Sequence, residues 1–247
     1  MIPIRDVNPS LRRPWLTWGI IALSIYIFFF VQPETGGEVE QFAYRYAAIP
    51  CELTNAEPLD AGEVGGGGCS EGGQPVFPDK LVLGSVLTSM FLHGGLLHLF
   101  GNMLSLWIFG NNIEDAYGRL GYALVYLASG VVATVAYVVL RPESTIPLVG
   151  ASGAIAGIMG SYLVLFPSAS VLTVIPIFFL PWFVAVRAWV FLLIWFAGQF
   201  LLAGGQSGIA WEAHVAGFLF GMVATLVLSP ALRRRLRSHR RQVLGAR

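Results

Sequence analysis

Two apolar stretches of the chain each carry one residue able to do nucleophilic chemistry. Ser152 lies in GASGAIAGIMG (150–160) and His214 in AHVAGFLFG (213–221). A neutral imidazole within hydrogen-bond reach of a hydroxyl can take its proton and turn the serine into a nucleophile. A third stretch, HGGLLHLFGNM (93–103), holds His93, His98 and Asn102. Acyl transfer needs donors for a developing oxyanion. The Asn102 amide, the His98 ring N–H and the Ser152 backbone N–H could supply them, the last because N–H groups in a first helical turn lack intrahelical partners. Each residue also has a plainer reading. A serine can be a small packing residue, His93 can anchor an interface, and His98 and Asn102, spaced i and i+4, can bond a neighbouring helix. A histidine inside a membrane span is harder to dismiss, because ionisable residues there tend to be functional.

The surroundings of these residues are those of a membrane protein. The chain is 55% hydrophobic and 12% charged with net charge +1, its mean hydropathy is +0.69, and soluble domains carry roughly 25% charged residues. Spans of the required length are expected over Pro14–Val31, Gly95–Ile113, Tyr122–Leu140, Leu148–Phe166, Ala188–Ala203 and Ile209–Leu228. Basic residues precede the first span, but without a small-residue cleavage site it reads as retained. The apolar run 171–203 is long enough for two spans. Pro176, Pro181 and Arg187 interrupt its first half, so 167–186 is expected as a connection near the membrane face.

Charge decides between six spans and seven. Arg5, Arg12 and Arg13 precede the first span; Arg233, Arg234, Arg235, Arg237, Arg240, Arg241 and Arg247 follow the last. A Lys/Arg excess marks the cytoplasmic side, so both ends lie inside and the number is even. The chain then divides into a cytoplasmic segment (1–13), a six-helix membrane domain (14–228) and a basic cytoplasmic tail (229–247), with 32–80 as an outer Gly-rich acidic loop. Six spans also place His93, His98, Asn102, Ser152 and His214 at one depth, in the outer half of the membrane. Seven would put Ser152 and His214 on opposite faces.

Glycine spacing indicates how the two could meet. Gly153 and Gly157 form GxxxG in the fourth span, and Gly217 and Gly221 form another in the sixth. Such faces let helix backbones approach closely. His214 shares a side with Gly217 and Gly221, so a fourth span packed there would bring Ser152 beside it. No Asp or Glu lies at this depth except Glu212 near a loop, so the natural reading is a dyad.

Other chemistries find little support. Cys51 and Cys69 both lie in the outer loop. A disulfide there would staple a Gly-rich segment, two free thiols being the alternative. Two cysteines without a nearby histidine do not make a zinc site. No metal, nucleotide or other cofactor is implied. The arginine-rich tail, immediately after a span, is expected to contact anionic lipid rather than nucleic acid. A small transporter would need internal symmetry with broken helices, and none is visible.

The three motifs, in order, resemble the rhomboid family of intramembrane serine proteases. They read HxxxxHxxxN, GxSG and HxxGxxxG, and LWIFGNNIEDAYG (106–118) resembles the family as well; the likeness covers about 91–228. The resemblance implies an all-α six-transmembrane-helix bundle in which Ser152 is the nucleophile and His214 the general base. It assigns His98 and Asn102 to the oxyanion and a structural role to His93, with Gly150, Gly153, Gly157, Gly217 and Gly221 shaping the helix contacts. The implied activity is cleavage of the transmembrane helices of single-pass or polytopic proteins, after local unwinding in the bilayer. A non-catalytic relative that binds such helices without cutting them is the alternative. The expected location is a bacterial cell membrane. Two departures stand out. Ala156 replaces a Tyr that in some members packs on the catalytic histidine, leaving Trp211 and Phe218 as candidates to hold the imidazole. The outer loop also lacks the Trp-Arg pair of some members.

Overall fold

Apolar runs broken by glycine and proline produce a mostly helical molecule in which the helix ends, rather than the helix middles, carry the polar chemistry. The computed structural model describes residues 1–8, 10–34, 36–64, 68–69, 73–177, 180–202 and 209–245. Strand β1 (Ile2–Asp6) leads to helix α1 (Trp15–Phe30), then to the short helices α2 (Gly37–Tyr46), α3 (Pro50–Asn55), α4 (Ala61–Val64) and α5 (Ser85–Thr88). A 3-10 turn (Ser89–Phe91) precedes α6 (Leu96–Leu140), which is followed by α7 (Ser152–Leu165). Strands β2 (Ser170–Ile177) and β3 (Leu180–Arg187) then precede α8 (Ala188–Leu202) and α9 (Trp211–Gly245).

Helix α6 is two helices joined at Gly118, whose φ of 72° and ψ of 166° are not helical. A side chain is disfavoured in that conformation, so the glycine lets the chain reverse without a loop. By length and composition α6 and residues 211–238 of α9 can cross a bilayer; α1, α7 and α8 are apolar but shorter, at 16, 14 and 15 residues.

The all-α expectation needs correction. The connection expected over 167–186 is built as a hairpin of β2 and β3, and with β1 it forms an antiparallel sheet in the order β1-β2-β3. Pro176 and Pro181 signal a break in a helix and do not by themselves signal a strand. VLTV and WFVAV are rich in β-branched and aromatic residues, which suits strands, and Pro176 pairs with Pro181 in register, one pair from the end where the two strands connect, so the prolines cost the ladder little. The N-terminal segment is likewise a strand, with Ile2 opposite Val174 and Asp6 opposite Val171.

The outer segment is also more ordered than a Gly-rich loop. Tyr44, Ile49, Cys51 and Leu59 make a small core of their own, and Cys51 and Cys69 are joined in a disulfide. Glu63 approaches both sulfurs, the only metal-like grouping among the described residues, but sulfurs bonded to each other offer no thiolate. Lys80 and Glu52, both buried, form an ion pair, and Lys80 Nζ also donates to the Tyr44 carbonyl at 2.6 Å. A buried pair satisfied in this way fixes geometry more than it adds stability. Residues 65–67 and 70–72 of the glycine run lie outside the described residues.

Helices α7 and α9 touch backbone to backbone. A Cβ on Gly217 would lie 2.1 Å from the Gly153 carbonyl oxygen, and one on Gly221 would lie 1.9 Å from that of Gly157. On the other side of α7, a Cβ on Gly157 would strike Ser129 Oγ at 2.0 Å. The arms of α6 are fastened at the opposite end of the bundle. Both Glu114 carboxylate oxygens cap the start of α1, accepting from the Leu16 and Thr17 amides at 3.1 and 2.8 Å, as a carboxylate at a helix N-terminus should. Asp6 accepts from Tyr162 Oη at 2.8 Å and from Asn112 Nδ2 at 2.6 Å, tying β1 to α6 and α7.

Two predictions follow from these contacts. Gly221→Ala must push α9 off α7, and overpacking of this kind costs about 1–3 kcal/mol, or roughly 2–4 °C in Tm per kcal/mol for a chain of this size. Gly19→Ala in α1 is the control, since a Cβ there meets nothing within 4 Å; its Tm in detergent should hold or rise. The second concerns Asp6, whose carboxyl burial raises to about 6 from the ordinary 3.8, although the bonds from Tyr162 and Asn112 pull the other way. Between those values the folded chain keeps a proton that the unfolded chain has lost, so this contribution to stability falls as pH rises from about 4 to 6. Asp6→Asn, which mimics the neutral form, should gain in Tm relative to the parent as pH is taken from 4 to 7. An unchanging gap would count against a protonated Asp6.

Candidate active site

The site forms where α7 begins. Gly150 has φ of 123°, and its N–H donates to the Ser89 carbonyl at 2.9 Å. The chain then turns through Ala151 into α7, making Ser152 the first helical residue. The segment before it is held from the outer module. The Cys51 amide donates to the Ser144 carbonyl at 3.0 Å, and the Leu148 amide to the Ala48 carbonyl at 2.8 Å. Arg141 closes the same edge by an ion pair with buried Glu212 at 2.6 Å. Glu212 is thereby engaged away from His214, although it lies only two residues from it.

Ser152 Oγ lies 2.7 Å from His214 Nε2. On its far side the ring places Nδ1 2.7 Å from Oε1 of Gln199. The Gln199 amide has a defined orientation, because its Nε2 donates to the Trp195 carbonyl at 3.1 Å; its oxygen therefore faces the ring. An amide oxygen only accepts, so Nδ1 carries the proton and Nε2 presents its lone pair to the serine. Trp195, one turn before Gln199 and on the same helix face, lies against the imidazole with ring centroids 6.1 Å apart.

The expectation that Trp211 or Phe218 holds the imidazole is therefore corrected. Trp211 packs on Phe200. Phe218 packs on Trp195 and Phe196, one layer behind. The support comes from α8, and Ala156 is fully buried on the other side. Gln199 is the residue the motifs missed. A signal was present, since Gln199 is the lone amide in AWVFLLIWFAGQFLL, and a polar side chain in an apolar span asks for a partner.

His98 and Asn102 face the backbone immediately before the serine. A Cβ on Gly150 would stand 2.7 Å from His98 Nε2 and 3.6 Å from Asn102 Nδ2. The Gly94 amide donates to His98 Nδ1 at 3.4 Å, which leaves the proton on Nε2, toward the site. Asn102 Nδ2 is buried and has no partner among the described residues, and a buried unmet donor is costly unless something is meant to meet it. His93 stands behind His98, edge to face at 5.3 Å. Its backbone is clamped by the Gln32 side chain, which accepts from the His93 N–H at 2.9 Å and donates to its carbonyl at 3.0 Å. These groups open on a cavity of about 700 Å³ lined by Ser152, His214, His98, Asn102, Gly150 and Trp195 among others.

Comparison with known proteins now adds to the geometry. Residues 82–231, more than half of the chain, match the family model described as Rhomboid domain. The chain belongs to the rhomboid family. It is 42% identical to "Rhomboid protease GluP" of Bacillus subtilis over 78 residues, 32% of this chain and 15% of that protein. It is 31% identical to "Rhomboid protein 1, mitochondrial" of Saccharomyces cerevisiae over 168 residues, 65% of this chain and 46% of that one. It is 30% identical to "Rhomboid-related protein 2" of Mus musculus over 145 residues, 55% of this chain and 45% of that one. The chain thus spans less than half the length of these relatives. Membership makes it an integral membrane protein of a family that includes serine proteases. Bacterial and mitochondrial relatives stand side by side, so the likeness assigns no compartment.

Gly150 carries the sharpest local prediction. Gly150→Ala places a methyl against His98 Nε2 in a backbone conformation that alanine resists. Labelling of Ser152 by a serine-directed fluorophosphonate should slow at least tenfold, since one displaced oxyanion donor alone costs about 10²–10³ in rate. An unchanged labelling rate would mean that His98 and Asn102 do not face the reacting group.

Proposed function

We infer that this rhomboid-family protein is an intramembrane serine endopeptidase that cleaves the transmembrane segments of other membrane proteins. The observation that carries this reading is the 2.7 Å contact between Ser152 Oγ and His214 Nε2, with the opposite ring nitrogen engaged at 2.7 Å by Gln199. A serine paired with an oriented imidazole on a largely apolar cavity is the arrangement that nucleophilic catalysis requires. Six spans with both ends on the cytoplasmic side, as the arginines suggest, put the cavity toward the outer face.

In the proposed mechanism His214 Nε2 takes the Ser152 proton as Oγ attacks the scissile carbonyl. The oxyanion that forms accepts from Asn102 Nδ2, His98 Nε2–H and the Ser152 backbone N–H. The imidazolium then returns the proton to the leaving amine, releasing the C-terminal fragment and leaving an acyl-enzyme. Water entering the cavity is deprotonated by the same imidazole and hydrolyses the ester. An intact helix shields its peptide bonds, so the substrate segment must unwind locally, which favours residues of low helix propensity near the cut.

Cleavage of a transmembrane reporter by purified protein in liposomes tests the reading. Ser152→Ala and His214→Ala should each abolish cleavage, with the double variant no worse, because the pair acts as a unit. Asn102→Ala should lose about 10²–10³ in kcat while keeping nucleophile and base. Proteolysis by Ser152→Ala at the parental rate would sink the proposal and favour a relative that binds helices without cutting them. Gln199 is proposed as a positioning residue. Gln199→Leu should lower kcat with KM unchanged, and Gln199→Glu, whose carboxylate can accept the same Nδ1–H, should restore most of it. Equal loss in both variants would reduce Gln199 to a packing role.

A further inference from the structure

Arginines from three separate parts of the chain face one cavity at the end of the bundle away from Ser152. Arg12 and Arg13 come from the entry to α1, Arg119 from the residue after the Gly118 turn, and Arg235 from α9; the cavity between them measures about 630 Å³. The two acids on its wall already have work. Glu114 caps α1 through both oxygens, and Asp115 Oδ2 accepts from the Leu11 amide at 2.8 Å. The ion pairs found among the described residues are Arg45–Asp79, Lys80–Glu52 and Arg141–Glu212, and none involves the four cavity arginines.

Arg235 is the most constrained of the four. Its guanidinium fills the space that a Cβ on Gly118 would occupy, with Nη2 2.3 Å from that point. Nη1 donates to the Tyr117 carbonyl at 3.2 Å, and Nε is buried without a partner among the described residues. Burying an unmet charge-bearing donor is unfavourable, and a guanidinium presents a planar fork suited to phosphate oxygens.

Apolar surface borders this charge. Trp15, also on the cavity wall, is 53% exposed and packs edge-on against Trp18, and exposed tryptophan at a span end marks the headgroup level of a bilayer. The helix leaving the cavity at Arg119 presents Leu120 and Leu124 outward on one face, 75% and 60% exposed. A simple solvated positive face would account for arginines spread along the tail. It does not account for four arginines from three parts of the chain lining one hollow, beside an interfacial tryptophan and an apolar helix face. We propose that this cavity is a specific site for an anionic phospholipid, its phosphate held by Arg12, Arg13, Arg119 and Arg235 and its acyl chains lying along Leu120 and Leu124.

The test uses delipidated full-length protein in a neutral maltoside detergent. The probes are phosphatidylglycerol, phosphatidylcholine and inorganic phosphate, and the readouts are Tm and the mass of lipid adducts by native mass spectrometry. Phosphatidylglycerol should add once per chain and raise Tm, while the other two at equal concentration should do neither. At about fivefold in affinity per arginine near a membrane surface, Arg13→Gln/Arg119→Gln should weaken the adduct roughly 30-fold without changing the lipid-free Tm. Arg12→Gln/Arg119→Gln should do the same through a different pair of side chains. Arg233→Gln/Arg234→Gln, with equal charge removed from the neighbouring tail, should keep the adduct. Equal weakening by the tail variant would reduce the effect to overall charge and overturn the site. A Tm rise with inorganic phosphate matching that with the lipid would make it a free-anion pocket and overturn the lipid assignment.

Discussion

Contact between the backbones of α7 and α9 is the constraint on which the rest of this molecule depends. Gly153 meets Gly217 and Gly157 meets Gly221 with no room for a single methyl group at the crossing. In lipid there is no hydrophobic drive to bring helices together, so close packing and the polar contacts it permits must do so. Ser161 shows this directly: its hydroxyl sits between the Gly157 carbonyl of its own helix and the Gly221 carbonyl of the next, at 2.9 and 3.2 Å. The same approach sets the distance between the first residue of α7 and the first turn of α9. A serine and a histidine on helices packed through larger side chains would be too far apart to share a proton.

Around that contact the structure adds support from elements that do no chemistry themselves. Helix α8 supplies an aromatic face and an amide to the imidazole. The outer module, with its own small core and buried Lys80–Glu52 pair, bonds to the chain just ahead of Ser152 through Cys51 and Ala48. Arg141 and Glu212 tie the end of α6 to the start of α9. Each interaction acts on backbone or on a side chain one step from the Ser152–His214 pair, the kind of surrounding support that holds a site to fractions of an ångström.

The opposite end of the bundle is organised by charge. The Asn-Asn-Ile-Glu-Asp run at the end of the first arm of α6 is used almost entirely as a connector, with Asn112 bonded to Asp6 and Asn8, Glu114 capping α1 and Asp115 holding Leu11. The Gly118 turn brings the second arm back beside it. Helix α9 passes its Pro230 without ending and delivers Arg235 to that turn. Arg235 therefore serves the fold by holding the Gly118 turn.

The sequence by itself determined the helical bundle, the apolar segments and the groups that could do chemistry. Hydropathy marks a membrane helix with little help from context, and Ser152, His214, His98 and Asn102 stand out as polar residues in apolar runs. The glycine pairs could be read as well, because close helix packing leaves a mark at a spacing of four. Three features waited for the tertiary structure. The sheet was hidden because prolines at 176 and 181 break a helix and also fit a hairpin, and only pairing with β1 separates the two. The support of His214 was hidden because Trp195 and Gln199 belong to a helix with no motif of its own. The cavity at Gly118 joins residues from positions 12 to 235. In each case the missing information was a relation between distant segments. Local sequence encodes what an element is and which face is polar, but which face meets which is decided by packing all the elements at once.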